Sequence, residues 1–399
     1  MKTITDLKRI KELFDRGTVV EAFPSKEELV AALENGKRLK IYIGFDPTST
    51  ALHLGHAKNL MFLEELRQLG HEVIVLFGDF TAMIGDPDKS AARTQLTAET
   101  VKKNVADWVR QIKPIIDFEA AENPAQLRYN SEWLSKLNFS DLVSLASNFT
   151  VQQFIERDLF EKRIKAGTPI HLHEFFYPLM QGYDSVAMDV DAELCGTDQI
   201  FNALAGRTLM KRLKNKDKFV IALNLLANPA TGQLMSKSNG TGVFIDQPAD
   251  KLFGSLMALP DPMIEPLFMN CTRIPLAEKD DLMALGPREA KARVAYDIVK
   301  RFHGEAAAEA AESAFIATFA KGTVPEDIQE VELAAGEALA DALIKAGVVE
   351  SKTEWRRLVL DGAVKTDREE KIDDPKFEPS EETVLKIGKR RFVKVLMSD

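Results

Sequence analysis

The residues of this 399-residue chain that are best suited to chemistry lie in two short segments far apart in the sequence. The first is His53-Leu54-Gly55-His56, which places two imidazoles and a glycine at the start of a predicted helix. Free backbone N–H groups and the helix dipole favour a phosphate there, and glycine lets a flat ring approach the backbone. The second segment is Leu234-Met235-Ser236-Lys237-Ser238, which offers a cation in a glycine-flanked loop. The two segments predict a nucleotide-binding site.

A predicted β-strand positions the first segment. Its apolar face is formed by Leu39, Ile41, Ile43 and Phe45. This period of two is typical of a strand with one buried face. The other face presents Tyr42, Gly44 and Asp46 towards the end of the strand, where Pro47 stops it. The helix that begins at His53 is predicted to run towards Leu69.

The apolar run Val73–Phe77 is typical of a strand buried on both faces of a parallel sheet. Strand, helix and strand make a right-handed βαβ unit. The loop Gly78–Pro87 would lie at the carboxyl edge of the sheet, where open α/β sheets bind ligands. Lys89 and Arg93 follow in a polar stretch.

A second group of polar residues begins at Tyr177. If that segment is helical, Tyr177, Gln181 and Asp184 lie on one face. The alternation of Val186, Met188 and Val190 with acids predicts a strand after it. Asp198 is then expected to cap a helix that runs to about residue 213. The basic run at residues 211–218 is predicted to be a solvated face, and the apolar run at residues 219–226 to be a strand.

Composition limits the class of protein. The net charge of −9 argues against indiscriminate coating of nucleic acid. With only two cysteines, neither a disulfide framework nor a zinc cluster is expected. His171, His173 and Glu174 are poorly spaced for a metal and lack an evident further ligand, so no metal site is predicted. We expect no signal peptide and no membrane span, and therefore a cytoplasmic location.

The C-terminal third of the chain contains further predicted domains. Residues 246–319 have a helical, alanine-rich pattern, and Gly322–Glu332 has the composition of a linker. After it, basic residues cluster in a short helix and in a turn followed by a strand. They are Arg356, Arg357, Lys389, Arg390 and Arg391. We expect these cations to bind RNA backbone.

The two segments resemble the HIGH and KMSKS signatures of class I aminoacyl-tRNA synthetases. The chain also resembles the bacterial tyrosyl-tRNA synthetases almost from end to end. The matching stretches are Tyr42–Thr48, Ile84–Pro87, Gln181–Asp184, Gly196–Gln199 and Pro287–Lys291. The resemblance implies an α/β fold, with a Rossmann-like catalytic domain over residues 1–245 and a helical insertion at about 120–180. It also implies an α-helical tRNA domain with linker over 246–332 and a small α+β RNA-binding domain over 333–399.

The implied reaction is attack of the tyrosine carboxylate on the α-phosphate of ATP, followed by transfer to the tRNA. Tyr42 and Asp184 are the candidates for pairing with the phenolic hydroxyl, and Asp86, Tyr177 and Gln181 for the ammonium group. By resemblance, Gln199 lies near the tyrosine carboxylate. The predicted catalytic residues are Thr48, His53, His56, Lys89, Arg93 and Lys237. The predicted ATP-binding residues are Gly44, Asp46, His53, Gly55, His56, Gly196, Asp198, Met235, Ser236, Lys237 and Ser238.

Other expected partners are Mg²⁺ carried mainly by the nucleotide, no permanently bound cofactor, and a second copy of the chain in a homodimer. One departure from the family pattern is Leu234, where a lysine is usual. Three alternatives stay open on sequence grounds: a tryptophan enzyme, a small-molecule nucleotidylyltransferase and a non-catalytic RNA-binding protein. The predicted hydroxyl pair Tyr42/Asp184 favours tyrosine over tryptophan. The C-terminal module is unexplained by a nucleotidylyltransferase, and the two histidines with Lys237 argue against a non-catalytic protein.

Overall fold

A computed structural model describes residues 3–85, 96–155, 158–236, 240–320, 329–334, 337–366, 371–379, 382–388 and 391–398 of the chain. Within it the chain forms two compact units, Met1–Ala308 and Glu309–Asp399. No helix among the described residues is long and apolar enough to cross a membrane.

The first unit is built on a six-stranded sheet. Its strands are β1 (Val19–Phe23), β2 (Lys40–Phe45), β3 (Glu72–Phe77), β4 (Gln126–Tyr129), β5 (Ala192–Gly196) and β6 (Phe219–Leu223). Their order across the sheet is β1-β6-β5-β2-β3-β4. All neighbouring pairs are parallel except β1 and β6, which are antiparallel. The parallel α/β fold predicted from the sequence is therefore confirmed.

The order of the strands reverses between β2 and β5. From β2 the chain proceeds to β3 and β4 on one side, and from β5 to β6 on the other. At such a switch point the connecting loops diverge and leave a crevice at the carboxyl ends of the strands. The ends of β2 and β5 lie together here, because Ile41 pairs with Ala192 and Ile43 with Leu194.

Both faces of β2 are buried, whereas the sequence pattern predicts only one. Ile41, Tyr42 and Ile43 are all at most 2% exposed. The face that carries Tyr42 packs against Ile74, Leu76, Met188 and Val190. Period two alone therefore did not reveal that the phenol belongs to the interior of the unit.

Helices cover the sheet and extend the first unit. The helices of the described chain up to residue 320 are α1 (Leu7–Asp15), α2 (Lys26–Glu34), α3 (Leu54–Gln68), α4 (Thr81–Ile84), α5 (Ala98–Ile112), α6 (Ser131–Leu134), α7 (Phe139–Ala146), α8 (Val151–Ile155), α9 (Asp158–Lys165), α10 (Tyr177–Met188), α11 (Ile200–Lys214), α12 (Ala249–Met257), α13 (Ile264–Cys271), α14 (Lys279–Ala284), α15 (Pro287–His303) and α16 (Glu305–Ala320). Short 3₁₀ helices are Leu172–Phe176, Thr197–Gln199, Asp261–Met263 and Leu276–Glu278.

The strand predicted at Val186–Val190 is wrong. Val186 and Met188 belong to α10, which ends where Asp189 adopts a left-handed conformation with φ of 52°. The strand β5 begins later, at Ala192. Alternation over only five residues also fits the buried and exposed positions at the end of a helix. The segment was therefore too short to distinguish a strand from a final helical turn.

Two further expectations for this unit are corrected. Asp198 lies in a 3₁₀ helix, and α11 begins after Gln199 with no side-chain cap. The region predicted as a helical insertion contains β4, whose residues pair with β3 along its edge. The alternation of polar and apolar side chains in β4 covers only four residues, which is too short to predict a strand from the sequence.

In the second unit, the described residues after α16 form a four-stranded sheet and two helices. Its elements are β7 (Gln329–Ala334), α17 (Leu339–Lys345), α18 (Lys352–Leu360), β8 (Val364–Thr366), β9 (Thr383–Ile387) and β10 (Arg391–Ser398). The strand order is β7-β10-β9-β8. Gln329 to Glu332, predicted as the end of a linker, lie in β7. Val331 and Leu333 are buried in the core, while Glu330 and Glu332 stay exposed. The acidic composition therefore concealed a strand.

Candidate active site

A cavity of about 1010 Å³ opens at the carboxyl ends of β2 and β5. It lies where the reversal of strand order leaves a crevice. Many of the residues predicted to bind tyrosine or ATP line it. They are Tyr42, Gly44, Asp46, Thr48, His53, Gly55, His56, Tyr177, Gln181, Asp184, Gly196, Asp198, Gln199, Met235 and Ser236. Asp86, Lys89, Arg93, Lys237 and Ser238 lie outside the described residues.

The two imidazoles at the start of α3 are held by backbone hydrogen bonds. Nδ1 of His53 accepts the N–H of Gly55 at 3.1 Å, and Nδ1 of His56 accepts the N–H of His53 at 3.4 Å. Burial lowers the pKa of His53 to about 4, so this ring is neutral at pH 7. A neutral imidazole that accepts at Nδ1 carries its proton on Nε2. His53 is therefore a hydrogen-bond donor to a ligand rather than a cation.

Glycine is required between these histidines for a local reason. A Cβ atom built on Gly55 would lie 2.8 Å from Cε1 of His53. The imidazole folds back over the first turn of α3, and any larger residue would displace it. The glycine of this segment thus preserves the ring position as well as access to the backbone.

The second signature segment lies beside the first. The backbone of His53 forms a β-bridge with Phe244, and the N–H of Leu54 donates to the carbonyl of Val243 at 3.0 Å. Met235 is held in turn by an N–H bond of 2.8 Å to the carbonyl of Leu226. Segments about 180 residues apart in sequence therefore line one cavity. Leu234, which replaces the usual lysine, also lines it and is 40% exposed.

The carboxylate of Asp46 is fixed at the end of β2. Thr81 Oγ1 donates to its Oδ1 at 2.7 Å, and Tyr177 Oη donates to its Oδ2 at 2.8 Å. Gly78 leaves room for this arrangement, since a Cβ there would lie 2.1 Å from Asp46 Oδ1. A hydroxyl that donates its proton in this way presents acceptor lone pairs to other donors. Tyr177 is thus oriented as an acceptor by a residue of another element.

Asp184 is a buried acid on the cavity side of α10, with 3% of its surface exposed. Its Oδ1 accepts from Trp133 Nε1 at 2.7 Å and its Oδ2 from Asn130 Nδ2 at 3.4 Å. Burial raises the pKa of Asp184 well above its ordinary value, although these two hydrogen bonds oppose the shift. Trp133 and Asn130 were not predicted as site residues, because nothing in the local sequence marks them as partners of a residue some fifty positions away.

Tyr42 faces the same cavity from β2. Burial, and then the carboxylates of Glu193 and Asp184, raise the pKa of its phenol well above the ordinary value. The hydroxyl therefore stays protonated, and it lies 3.0 Å from Ser185 Oγ. Tyr42 and Asp184 thus offer a hydroxyl and a carboxyl group to one cavity. Such a pair is suited to a ligand that carries a hydroxyl of its own.

Gly196 and Asp198 follow the end of β5. A Cβ on Gly196 would lie 2.3 Å from Asp198 Oδ1, so glycine allows the carboxylate to fold back over the strand end. Gln199 is held by Asn202, whose Nδ2 donates to its Oε1 at 2.8 Å. These residues thus present a carboxylate and an oriented amide to the cavity.

The segment with His171, His173 and Glu174, whose composition resembles that of a metal site, has a structural role instead. Glu174 accepts the N–H of His171 at 2.8 Å and forms an ion pair with Arg163. This carboxylate therefore caps a 3₁₀ helix and anchors α9. Among the described residues, no three histidine, cysteine or acidic side chains are grouped so as to hold a metal ion.

The predicted RNA-binding cations lie in the second unit. Arg356 and Arg357 are exposed on α18. Arg391 is engaged within the unit, since it donates to the carbonyl of Val348 at 2.5 Å and to Glu354 at 2.9 Å. Lys389 and Arg390 lie outside the described residues. Arg391 thus ties β10 to α18.

Comparison with known proteins agrees with this geometry. The family model described as class I tRNA synthetases (W and Y) matches residues 34–320. A tyrosine–tRNA ligase of Shewanella oneidensis is 42% identical over 406 residues, which cover 99% of this chain and 100% of the relative. Another, of Carboxydothermus hydrogenoformans, is 41% identical over 414 residues, with 98% and 99% covered.

The fold is also similar to that of a solved structure, a C-terminally truncated mitochondrial tyrosyl-tRNA synthetase of Aspergillus nidulans. The TM-score is 0.67 at 22% identity, with 78% of this chain and 94% of that chain covered. The family predicted from the two signature segments is confirmed. The chain belongs to the class I tRNA synthetases of the tryptophan and tyrosine type, and among them to the tyrosyl-tRNA synthetases.

Proposed function

We propose that the cavity activates L-tyrosine with ATP and that the tyrosyl group then passes to the 3′ end of its tRNA. In the first step a tyrosine carboxylate oxygen bonds to the α-phosphorus, the bond to the bridging oxygen breaks, and pyrophosphate leaves with that electron pair. In the second step a ribose hydroxyl of the tRNA attacks the tyrosyl carbonyl, AMP leaves, and the hydroxyl proton passes to solvent.

One observation carries the proposal. The two signature segments line the same cavity as the Tyr42 and Asp184 pair. One cavity thus combines groups suited to a nucleotide with groups suited to a phenolic hydroxyl. An indole has no hydroxyl for this pair, so the arrangement favours tyrosine over tryptophan.

At the amino-acid end, we assign the hydroxyl to Tyr42 and Asp184 and the ammonium group to Tyr177, Gln181 and Asp86. The hydrogen bond from Tyr177 to Asp46 supports its role as an acceptor. The amide of Gln199, which is oriented by Asn202, is assigned to the substrate carboxylate. A carboxylate is already an adequate nucleophile, so this chemistry needs positioning rather than a general base.

At the nucleotide end, we assign adenylate contacts to Gly44, Asp46, Gly196 and Asp198. Thr48, His53, His56 and the loop cations Lys89, Arg93 and Lys237 would stabilise charge that develops on the phosphates. The low pKa of His53 supports a contribution through a neutral N–H donor. Met235, Ser236 and Ser238 complete the signature loop around the phosphates.

We propose that Mg²⁺ enters with ATP as part of the substrate, without a resident cofactor. The carboxylate of Asp46 already accepts two hydroxyl hydrogen bonds. The described residues provide no cluster of three metal-binding side chains. A cation that is coordinated mainly by phosphate oxygens and water fits these surroundings.

We further propose that the protein is a homodimer. The segment from α7 to the 3₁₀ helix at Leu172 exposes apolar side chains to an unusual extent. Phe139 is 80% exposed, Leu172 72% and Val151 65%. Apolar surface of this kind is typical of protein–protein contacts. Sedimentation of the wild-type chain and of Phe139→Glu would test this proposal, and a monomeric wild-type protein would contradict it.

Binding of tRNA is proposed to involve residues 246–332 and the small domain at 333–399. The exposed guanidinium groups of Arg356 and Arg357 support contact with RNA backbone. Since Arg391 is engaged with Glu354, its contribution is expected to be smaller. We propose that the protein acts in the cytoplasm, where ATP and tRNA are found.

ATP–pyrophosphate exchange with each of the twenty amino acids tests the proposed function directly. We expect strong exchange with tyrosine and far weaker exchange with tryptophan or phenylalanine at comparable concentrations. Exchange that depends on tryptophan would identify the related enzyme instead. Absence of exchange with every amino acid, in a folded preparation that binds tRNA, would point to a non-catalytic protein.

A further inference from the structure

Behind the tyrosine end of the cavity lies a group of polar side chains that are almost completely excluded from solvent. Lys218 and Ser185 are 0% exposed and Glu193 is 1% exposed. Lys218 directly precedes β6, Glu193 lies in the neighbouring strand β5, and Ser185 lies in α10. Lys218 is the last residue of the basic run that the sequence predicted to be a solvated face. For this residue the prediction is wrong.

Hydrogen bonds join these three residues. The ammonium group of Lys218 forms an ion pair with Glu193 and donates to Ser185 Oγ at 2.8 Å. Ser185 Oγ lies 3.4 Å from Glu193 Oε2. Replacing a buried ion pair by apolar residues is often neutral or even stabilising, so stability alone is a weak reason for such a group. Its neighbours in the cavity suggest another one.

Glu193 determines how the amide of Gln181 is oriented. Gln181 Nε2 donates to Glu193 Oε1 at 2.9 Å. A carboxylate in an ion pair accepts hydrogen bonds and donates none, so it selects the NH₂ side of the amide. The carbonyl oxygen of Gln181 is then the group available for a substrate ammonium. An amide turned the other way would lose this hydrogen bond and present its NH₂ to the ammonium.

Ser185 determines where the hydroxyl of Tyr42 lies, because the two oxygens are 3.0 Å apart. The ammonium of Lys218 also lies 5.9 Å from the centre of the Tyr42 ring. One buried lysine is thus connected to both predicted ends of the amino acid. It reaches the hydroxyl through Ser185 and Tyr42, and the ammonium through Glu193 and Gln181.

Close packing of α10 against α11 leaves little freedom to this group. A Cβ on Gly206 would lie 2.6 Å from Lys218 Nζ and 2.9 Å from Ser185 Oγ. A Cβ on Gly182 would lie 3.1 Å from the backbone nitrogen of Gly206. These close approaches leave little room around the Lys218 ammonium for the larger guanidinium of an arginine. Lys218→Arg is therefore not a conservative change.

We propose that Lys218, Glu193 and Ser185 are positioning residues that set the hydrogen-bonding polarity and the location of the tyrosine-binding groups Gln181 and Tyr42. The inference rests on the proposed function, since it concerns the same amino-acid site. None of the three is assigned to the reacting atoms. Their effect is on recognition of the hydroxyl and of the ammonium.

Two substitutions separate the two connections. Ser185→Ala removes the contact to Tyr42 and the hydrogen bonds of Ser185 to Lys218 and Glu193, but it leaves the Lys218–Glu193 ion pair and the bond from Gln181 to Glu193 in place. We therefore expect the tyrosine/phenylalanine ratio of kcat/KM to fall about tenfold, with phenylalanine use unchanged. Lys218→Met also removes the ion pair with Glu193, which orients the amide of Gln181. Gln181 is assigned to the substrate ammonium group, which tyrosine and phenylalanine share. Use of tyrosine and phenylalanine should both fall, each by about tenfold or more, and their ratio should fall as well. The KM for ATP should stay within about twofold in both variants.

Arg67→Met is the matched control. Arg67 is a largely buried cation, with 11% of its side chain exposed against 0% for Lys218. It forms an ion pair with Glu64 at 2.7 Å, and neither residue lines the cavity. All proteins are compared by ATP–pyrophosphate exchange, with thermal unfolding measured in parallel. A specific rise in the tyrosine KM in Lys218→Met but not in Arg67→Met supports the inference.

The inference is overturned if Ser185→Ala keeps the wild-type tyrosine/phenylalanine ratio, or if Lys218→Met and Arg67→Met lose tyrosine and ATP affinity in the same proportion. Should Lys218→Met fail to fold, the milder Ser185→Ala decides the outcome. A wild-type protein without tyrosine-dependent exchange would instead refute the proposed function, so the two failures are distinguishable.

Discussion

Replacement of Asp184 by asparagine provides a sharp test of the proposed tyrosine site, because it changes hydrogen bonding with little change of shape. In the wild type both carboxylate oxygens accept hydrogen bonds, from Trp133 at 2.7 Å and from Asn130 at 3.4 Å. In Asp184→Asn the single amide oxygen should keep the shorter hydrogen bond, the one from Trp133. The new NH₂ group would then face Asn130 and the substrate hydroxyl, and neither an acceptor nor a charge would remain there.

The expected loss is that of one hydrogen bond to a charged group, about 2 kcal/mol, which corresponds to roughly thirtyfold in kcat/KM for tyrosine. Phenylalanine lacks the hydroxyl, so its use should change little. Rejection of a substrate that leaves buried polar groups unpaired is a general rule for which tyrosyl-tRNA synthetases are themselves an established example. The loss expected for Asp184→Asn is derived from one hydrogen bond and not from the discrimination known for that family.

Stability should move in the opposite direction. Burial raises the pKa of Asp184 in the folded chain above its value in the unfolded chain. As the pH rises, the unfolded chain therefore loses this proton at a lower pH than the folded chain does. Ionisation near neutral pH thus favours unfolding, and asparagine has no proton to lose. We expect the melting temperature of Asp184→Asn to equal or exceed that of the wild type. Lost activity could then not be attributed to unfolding.

Exchange kinetics with tyrosine and phenylalanine, together with thermal unfolding, measure both effects on one preparation. Asp191→Asn is the control, because that carboxylate accepts the N–H of Lys40 at 2.8 Å and does not line the cavity. A tyrosine/phenylalanine ratio within twofold of wild type in Asp184→Asn would refute the assignment of this residue to the hydroxyl.

Three further outcomes are expected. Lys237→Ala should slow adenylate formation by about 3 kcal/mol of lost charge stabilisation while tyrosine binding without ATP barely changes, as single-turnover kinetics and calorimetry would measure. A chain that ends at Ala320 should retain tyrosine-dependent exchange and lose most tRNA charging, because Arg356 and Arg357 are removed with the second unit. Lowering the pH from 7 to 5 should reduce the free energy of unfolding by about 2 kcal/mol through His71, whose pKa burial lowers to about 4. The unfolded histidine takes up its proton near pH 6.5, whereas the folded one does not, so this stability is present above that pH and is lost as the pH falls.

Each of these outcomes has a result that contradicts it. Wild-type activation by Lys237→Ala would exclude a catalytic cation at this position. Equal loss of exchange and charging in the shortened chain would make the second unit structural, and full retention of both would leave it without a role in the reaction. Denaturant unfolding of His71→Gln should show a shallower pH dependence than that of the exposed control His303→Gln. Identical slopes in the two variants would exclude His71 as the source.

The predicted site residues that the structure brings to one cavity lie in continuous local patterns. Tyr42, Gly44 and Asp46 share one strand and its end, and Tyr177, Gln181 and Asp184 share one helix. The strand period of two and the helix period of 3.6 therefore place each set on one side of its element, which can be predicted without knowing the fold. The parallel sheet then brings both sets to the same cavity, because the ends of adjacent strands meet at one edge.

The groups that the sequence did not reveal act across elements. Asp184 is reached by Asn130, which directly follows β4, and by Trp133 in α6. Lys218 reaches Glu193 from the residue before β6. No periodic pattern relates these positions. Lys218 also has the appearance of a surface residue, because it ends a basic run. Only the spatial neighbours of such residues distinguish a buried counter-ion from a solvated charge.

The polar surroundings of Tyr42 have a consequence for loading tRNA with artificial analogues of tyrosine. Shortening Tyr42 is a direct way to admit a bulkier para substituent. The space so created would be bordered by Ser185, whose Oγ lies 3.0 Å from the present hydroxyl. An alkyl or halogen substituent would fill that space without replacing the lost hydrogen bond, whereas a nitro or acetyl group would bring an acceptor to it. This chain is therefore a better starting scaffold for analogues with polar substituents than for analogues with apolar substituents.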